Sequence, residues 1–241
     1  VHVPSLQQRL PPELHVDAKL DPTVPRIATS DAQSLHAHSE RLILGYWLTA
    51  TVLGVVFLRD MISVWNVPAT LGNPALIVYL ILTFALSQVL YAFVARFDKR
   101  PFRLGATTIF ALGNGIAETF AFALVYRLGE LLGSGLFGLF APGLAAGAGF
   151  AVGVIFFAIY GGLIHGLFWL RVLPPHLNDS PRAVRIRKMR PLAEIALVLG
   201  WSLCFWLTRD IWTVVFFHVL VDIGLMLKVR PTLFQFRRAG A

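Results

Sequence analysis

Two ionisable side chains four residues apart, His218 and Asp222, sit in an otherwise apolar run from Ile211 to Leu227. On a helix that spacing stacks them on one face. A carboxylate facing lipid costs several kcal/mol, so this face is expected to turn inward to polar partners. Two further groups of the same kind, Glu118 and His165, each stand in their own apolar run. Two carboxylates and two imidazoles delivered by three helices would hold a divalent cation such as zinc, or a water poised for attack, because these donors suit such ions. The same four groups also read as interhelical hydrogen-bond partners that only fix packing. Asn114 precedes Glu118 by four residues and shares its face. Glu194 lies within a turn of a span end, where it reaches the headgroups and needs no partner.

The elements that must position these groups follow from composition. Hydrophobic residues make up 56% of the chain and charged residues 14%, whereas a soluble domain carries about 25% charged residues. The expected class is all-α, a polytopic membrane protein of about six transmembrane helices with both termini cytosolic. Apolar stretches of roughly membrane length place the spans at 42–58, 75–95, 105–127, 146–170, 191–208 and 211–227. Residues 131–145 are apolar but broken by glycines and by Pro142-Gly143, and read as an interfacial or re-entrant piece. With these span ends Glu118 sits about 12 Å deeper in the membrane than His165, at 1.5 Å per residue. Tilt or different span ends must close that gap if the cluster forms.

Residues 1–40 carry five prolines among scattered charges and read as a largely irregular cytosolic arm that could dock on a membrane protein complex. No secretory signal peptide is expected there, for lack of an apolar core. A transmembrane domain at 41–230 and a basic tail at 231–241 complete the chain. The single cysteine, Cys204, excludes a disulfide framework and a thiolate metal site.

Charge supplies the orientation. With a cytosolic N-terminus, every Lys and Arg except Arg59, Arg127 and Arg209 falls on the cytosolic side, a strong positive-inside bias. The net charge of +8 is therefore topological. It favours contact with membrane lipids, and no nucleic-acid partner is expected, since the basic residues flank spans and form no patch interleaved with aromatics. Arg59-Asp60 and Arg209-Asp210 read as interfacial anchors and ion pairs on the outer face. Gly143 and Gly147, Gly149 and Gly153, and Gly162 and Gly166 have the spacing that lets helices approach closely.

Glu118 in the third span, Gly161-Gly-Leu-Ile-His165 in the fourth and His218-Val-Leu-Val-Asp222 in the last resemble, in order, the three motifs of the CPBP family. That family comprises CAAX prenyl endopeptidases and bacteriocin-processing intramembrane metalloproteases. The resemblance covers roughly half the chain, and only the third motif is intact. The family's first motif pairs two glutamates with an arginine. Here either Ala117 precedes Glu118 with Phe122 at the arginine position, or Thr119 follows it with Ala123 there. Gly161 replaces the phenylalanine of the second motif, next to Tyr160. The resemblance implies a six-helix bacterial inner membrane or photosynthetic membrane protein with a metal-assisted endopeptidase ancestry. It implies that Glu118 orients water, His165 shares its proton, and His218 with Asp222 binds metal or stabilises the oxyanion. Glu118, His165 and His218 would be the metal ligands and the substrates peptides or membrane-tethered protein segments. Loss of one glutamate implies weakened or absent turnover.

A second reading is a non-catalytic membrane subunit. Neutral imidazole is a good axial ligand, so His165 or His218 would hold haem or a chlorophyll. Trp47, Trp65, Trp169, Trp201, Trp206 and Trp212 would pack a pigment such as a carotenoid, or else anchor span ends at the interface.

Overall fold

The computed structural model describes residues 29–97, 99–172 and 177–234. The expected arm up to residue 28 and the tail from 235 lie outside the described residues, and the fold is that of the unit from His36 onward. The described residues are helical and form no strand beyond a single bridge between Ala95 and Leu177. The helices are α1 (Thr29–Phe57), α2 (Arg59–Ile62), α3 (Val67–Leu71), α4 (Pro74–Val94), α5 (Leu104–Phe140), α6 (Ala145–Phe157), α7 (His165–Val172), α8 (Pro181–Arg187), α9 (Arg190–Leu203) and α10 (Trp212–Val229). A π-helical turn, Ala158–Ile164, joins α6 to α7 without a break, and a second, Cys204–Thr208, extends α9. Six of the resulting rods are long and apolar enough to cross a membrane, and the chain is an integral membrane protein.

Local chemistry explains several boundaries. Asn73 accepts a hydrogen bond from Leu76 N–H at 3.1 Å, with Pro74 in the first turn of α4, the usual start signal of a helix. Ser180 and Pro181 open α8 in the same way. Asp210, fully buried, accepts from the N–H groups of Trp212 and Thr213 at 2.9 and 3.1 Å and closes the first turn of α10. At the other end, Asn178 N–H donates to Val94 O at 2.8 Å, tying the loop before α8 to the end of α4.

Two boundaries depart from the sequence reading. Helix α1 begins at Thr29, because no proline or glycine interrupts residues 29–44 and the span simply continues outward. Helix α5 does not stop near 127, and residues 131–140 are its last turns, so no separate re-entrant piece exists. Glycines that look like breaks are here a packing surface. A β-carbon on Gly129 or Gly133 would come within 2.7 Å of Val152 O or 2.6 Å of Ala148 O on α6. On α6, a β-carbon at Gly149 would lie 2.9 Å from Glu130 O and one at Gly153 would lie 2.6 Å from the Tyr126 ring. Four small residues at four-residue spacing therefore bring the two backbones together. Gly143, Gly147, Gly162 and Gly166, although similarly spaced, face open space. Gly153→Leu is accordingly expected to cost about 1–3 kcal/mol or more through overpacking, whereas Gly147→Leu should stay within about 0.5 kcal/mol of the parent. Thermal unfolding of both variants in detergent makes the comparison.

Helix α5 is the centre of the bundle. Of its most apolar window 61% is buried, against 22% for α1 and α4. Around it lie two apolar clusters, one holding Trp47, Phe110, Trp169 and Leu233, the other Leu58, Phe122, Tyr126, Phe157 and Phe205. Ala117 and Ala121 belong to the first and Phe120 and Phe122 to the second, so Glu118 falls at their junction.

The outer-face pairs are also wired differently from the sequence reading. Arg209 does not pair with Asp210. Its guanidinium donates to both oxygens of Glu130 at 2.8 and 3.0 Å, and Arg127 donates to the same carboxylate. Asp60 lies 4.0 Å from Arg127. Arg209 is outside the spans, and hydrogen bonding to Glu130 raises its pKa further above its already high ordinary value. The cause is geometric, since α5 is long enough to carry Glu130 to the α9–α10 turn, where Arg209 adopts a left-handed backbone with φ 52°. Glu130→Ala should cost about 1–3 kcal/mol, less than a fully buried ion pair because both arginines keep access to water. Chemical denaturation against the parent gives the value.

Candidate functional site

Three helices meet at Glu118, and a fourth, α1, reaches the cluster through Asn114. Glu118 is 1% exposed, and its two oxygens face different ways. Oε1 accepts from Trp169 Nε1–H at 2.6 Å and lies 3.3 Å from His165 Nδ1, both on α7. Oε2 lies 3.2 Å from His218 Nε2 on α10. Asp222, one turn further along α10, places Oδ2 3.9 Å from the same nitrogen and accepts from Asn114 Nδ2 at 3.0 Å. Asn114 in turn accepts from Trp47 Nε1–H of α1 at 2.9 Å. Thr119 Oγ1 lies 3.1 Å from His218 Nδ1 and donates to Gly115 O at 2.6 Å.

All four residues singled out from the sequence, Glu118, His165, His218 and Asp222, are thus brought into one cluster. The expected depth difference between Glu118 and His165 is absent. Once α5 is followed to Phe140, both residues lie roughly 20 residues, or about 30 Å, from the α5–α6 turn. Different span ends close the gap, and no unusual tilt is required. A π-helical turn immediately precedes His165, a feature common near functional groups.

The surroundings are aromatic. Phe122 stacks on His218 at 5.6 Å between centroids and 12° between planes, and meets His165 edge-on at 5.1 Å. Trp201 packs against both rings, its centroid 5.0 Å from His218 and 6.0 Å from Phe122. In such a setting two carboxylates and two imidazoles balance only when positive charge, a proton or a metal ion, sits among them. His165 is the open member. Its Nδ1 is buried yet has no hydrogen-bond partner of good geometry, while 18% of its side chain is exposed to a cavity.

That cavity, of about 190 Å³, is bounded by α4, α5, α8, α9, α10 and the helix carrying His165. It runs from Arg190 and Glu194, both partly exposed, past Tyr91, Leu197 and Trp201 to His165 and His218. Glu194 does not stand without a partner, as its position suggested, since Arg190 Nε donates to it at 2.5 Å. The i,i+4 spacing of the two on α9 is itself a sequence signal for that pair.

A divalent metal fits the donors by chemistry. The distances of 3.2 and 3.3 Å are close to the about 3.3 Å between neighbouring ligands of a tetrahedral zinc ion. Among the described residues no three donors converge on one point. His165 and His218 face opposite oxygens of Glu118, so binding an ion between them needs a rotation of that carboxylate. The buried, unpartnered His165 Nδ1 is the observation that favours such a ligand.

Sequence reasoning missed Trp169, Trp47 and the role of Thr119. Trp169 follows His165 by four residues, a signal of a shared face. Trp47 gave none, because it reaches Asn114 only through tertiary packing. Neither tryptophan is an interfacial anchor, since both are buried. No protein-family model, curated protein or solved structure matches the chain.

Proposed function

We propose that the chain is an intramembrane hydrolase of CPBP-like type, in a bacterial inner or photosynthetic membrane, cutting peptides or membrane-tethered protein segments that reach the site from the basic-loop side. The observation that carries this reading is Glu118, one carboxylate within 3.3 Å of imidazoles on two other helices, both of which line a cavity with a polar rim. A general base with histidines in reach is what attack of water on an amide needs.

The roles follow from the distances. Glu118 takes the proton of a water admitted from the cavity between His165 and His218. His218, whose Nε2 lies 3.2 Å from Glu118 Oε2, receives that proton and as imidazolium faces the developing oxyanion. His165, entering as the imidazolium beside the other oxygen, delivers its proton to the departing amine, and Glu118 passes back to it the proton held by His218, which closes the cycle. Asp222 stabilises the imidazolium from 3.9 Å, and Asn114 with Trp47 holds that carboxylate in place. A zinc-type ion held by Glu118, His165 and His218 would supply polarisation of the carbonyl and a more acidic water. Of the two registers for the first motif, Glu118 followed by Thr119 gains support, because Thr119 touches His218 while Ala117 packs in an apolar cluster. Phe122 then lies just before the arginine position, and as an aromatic wall it keeps water scarce around the base.

The test is purification in mild detergent without added metal, followed by metal analysis, an absorption spectrum and incubation in lipid vesicles with a membrane-tethered peptide library. Cleavage that disappears in Glu118→Gln supports the hydrolase. A colourless, metal-free and inert preparation would make the cluster a helix clamp in a non-catalytic subunit docked to partners. Visible absorbance lost in His165→Ala would mean haem, chlorophyll or carotenoid binding near His165.

A further inference from the structure

The hydrogen bonds of Thr119 fix which nitrogen of His218 carries a proton. Thr119 Oγ1 is 2.6 Å from Gly115 O and 3.1 Å from His218 Nδ1. A carbonyl oxygen only accepts, so the single hydroxyl proton of Thr119 is spent on Gly115. Toward His218 the hydroxyl oxygen can only accept, and Nδ1 must therefore be the N–H. In the neutral ring Nε2 is then a bare lone pair, and it points at Glu118 Oε2, 3.2 Å away, with Asp222 Oδ2 at 3.9 Å. Neither carboxylate oxygen brings a hydrogen of its own when ionised, so Nε2 is where a shared cation must sit.

We propose that Thr119 is the positioning residue of the site, holding His218 in the Nδ1–H form so that Nε2 is presented to Glu118 and to whatever cation, proton or divalent metal, lies between them. Thr119 does not touch that cation. It acts through the ring, as the outer partners of metal-bound and catalytic histidines do. The surroundings leave it this role alone. The two rings packed against the imidazole, Phe122 and Trp201, offer it no acceptor, and Thr119 Oγ1 is the group that meets Nδ1. Thr119 is itself fully buried, and water does not substitute for it. The backbone makes the arrangement robust, because Gly115 is one turn earlier on the same helix and the hydroxyl bond to it is local. Gly115 also lacks the β-carbon that would meet Val219 at 2.6 Å, so α10 approaches closely enough for His218 to reach Thr119.

The inference deepens the hydrolase reading but is measured on the resting protein, so the two fail separately. The protein is labelled with ¹⁵N-histidine, returned to lipid and examined by solid-state NMR, with His218 assigned by its disappearance in His218→Gln. The expected result is an Nδ1–H ring in the parent and in Thr119→Ser, and loss of that form in Thr119→Val, which matches the shape but cannot accept. Titration with Zn²⁺ alone should show 10–100-fold weaker binding in Thr119→Val than in Thr119→Ser if the shared cation is a metal, and no binding to either if it is a proton, with the tautomer result unchanged. An Nε2–H ring in the parent overturns the proposal, as does a folded Thr119→Val protein with an unaltered ring. Should Thr119→Val not fold, the parent and Thr119→Ser spectra still decide it.

Discussion

Glu118→Gln is expected to lower hydrolysis of a membrane-tethered peptide by about 10²–10⁴-fold while leaving the bundle folded. The amide replaces the carboxylate without orphaning its neighbours. Its oxygen still accepts from Trp169 Nε1–H, which is 2.6 Å from Oε1 in the parent. Its NH₂ group can donate to the bare Nε2 of His218 at the 3.2 Å position. What the amide cannot do is take a proton from water, so the loss should appear in kcat more than in KM. Glu118→Ala behaves differently, because it strands a buried indole N–H and an imidazole lone pair with no water to replace the partner. Its expected cost is about 3–5 kcal/mol of stability. Turnover and thermal unfolding measured on both variants separate the two effects. Full activity in Glu118→Gln would remove the general base from the mechanism and with it the hydrolase reading.

The spans are legible in the sequence because lipid imposes a simple rule, that backbone polar groups be satisfied within the helix and the outward side chains be apolar. The rare polar residues then stand out, and Glu118, His165, His218 and Asp222 are found this way. Their meeting is hidden by one boundary. Gly133, Gly135 and Gly138 resemble breaks in a one-dimensional reading, whereas at Gly133 the missing side chain is what allows α6 to lie against α5. The same boundary conceals Glu130, which lies beyond a span ended near 127 and so is not sought as a partner for Arg209. Contacts such as Trp47 to Asn114, 67 residues apart, carry no local period at all. They depend on which faces of α1 and α5 meet, and that is decided by the packing of the whole bundle.

The long helix α5 supplies most of the groups of the cluster. Residues 114, 118, 119 and 122 of one helix supply the amide, the carboxylate, the hydroxyl and the aromatic wall. The other helices contribute one or two groups each. A site organised from a single rigid rod keeps its spacing when individual side chains change, which rests on the rod being held by small-residue packing against α6 rather than by the polar groups themselves.

The two histidines should separate stability from chemistry. His218 is 5% exposed, has both ring nitrogens against polar partners, and packs against Phe122 and Trp201. Its replacement by Ala opens a cavity in an aromatic core and is expected to cost about 3–5 kcal/mol, together with any activity. His165 faces the cavity with 18% of its side chain exposed and lacks a well-formed hydrogen bond. His165→Ala should therefore cost about 1 kcal/mol or less, yet lower turnover by about 10²-fold or more, since His165 delivers the proton to the leaving amine. Unfolding midpoints and single-turnover rates of the two variants give the contrast directly. If both variants lose stability equally, His165 is a packing element like its counterpart, and its buried Nδ1 beside Glu118 has no functional meaning.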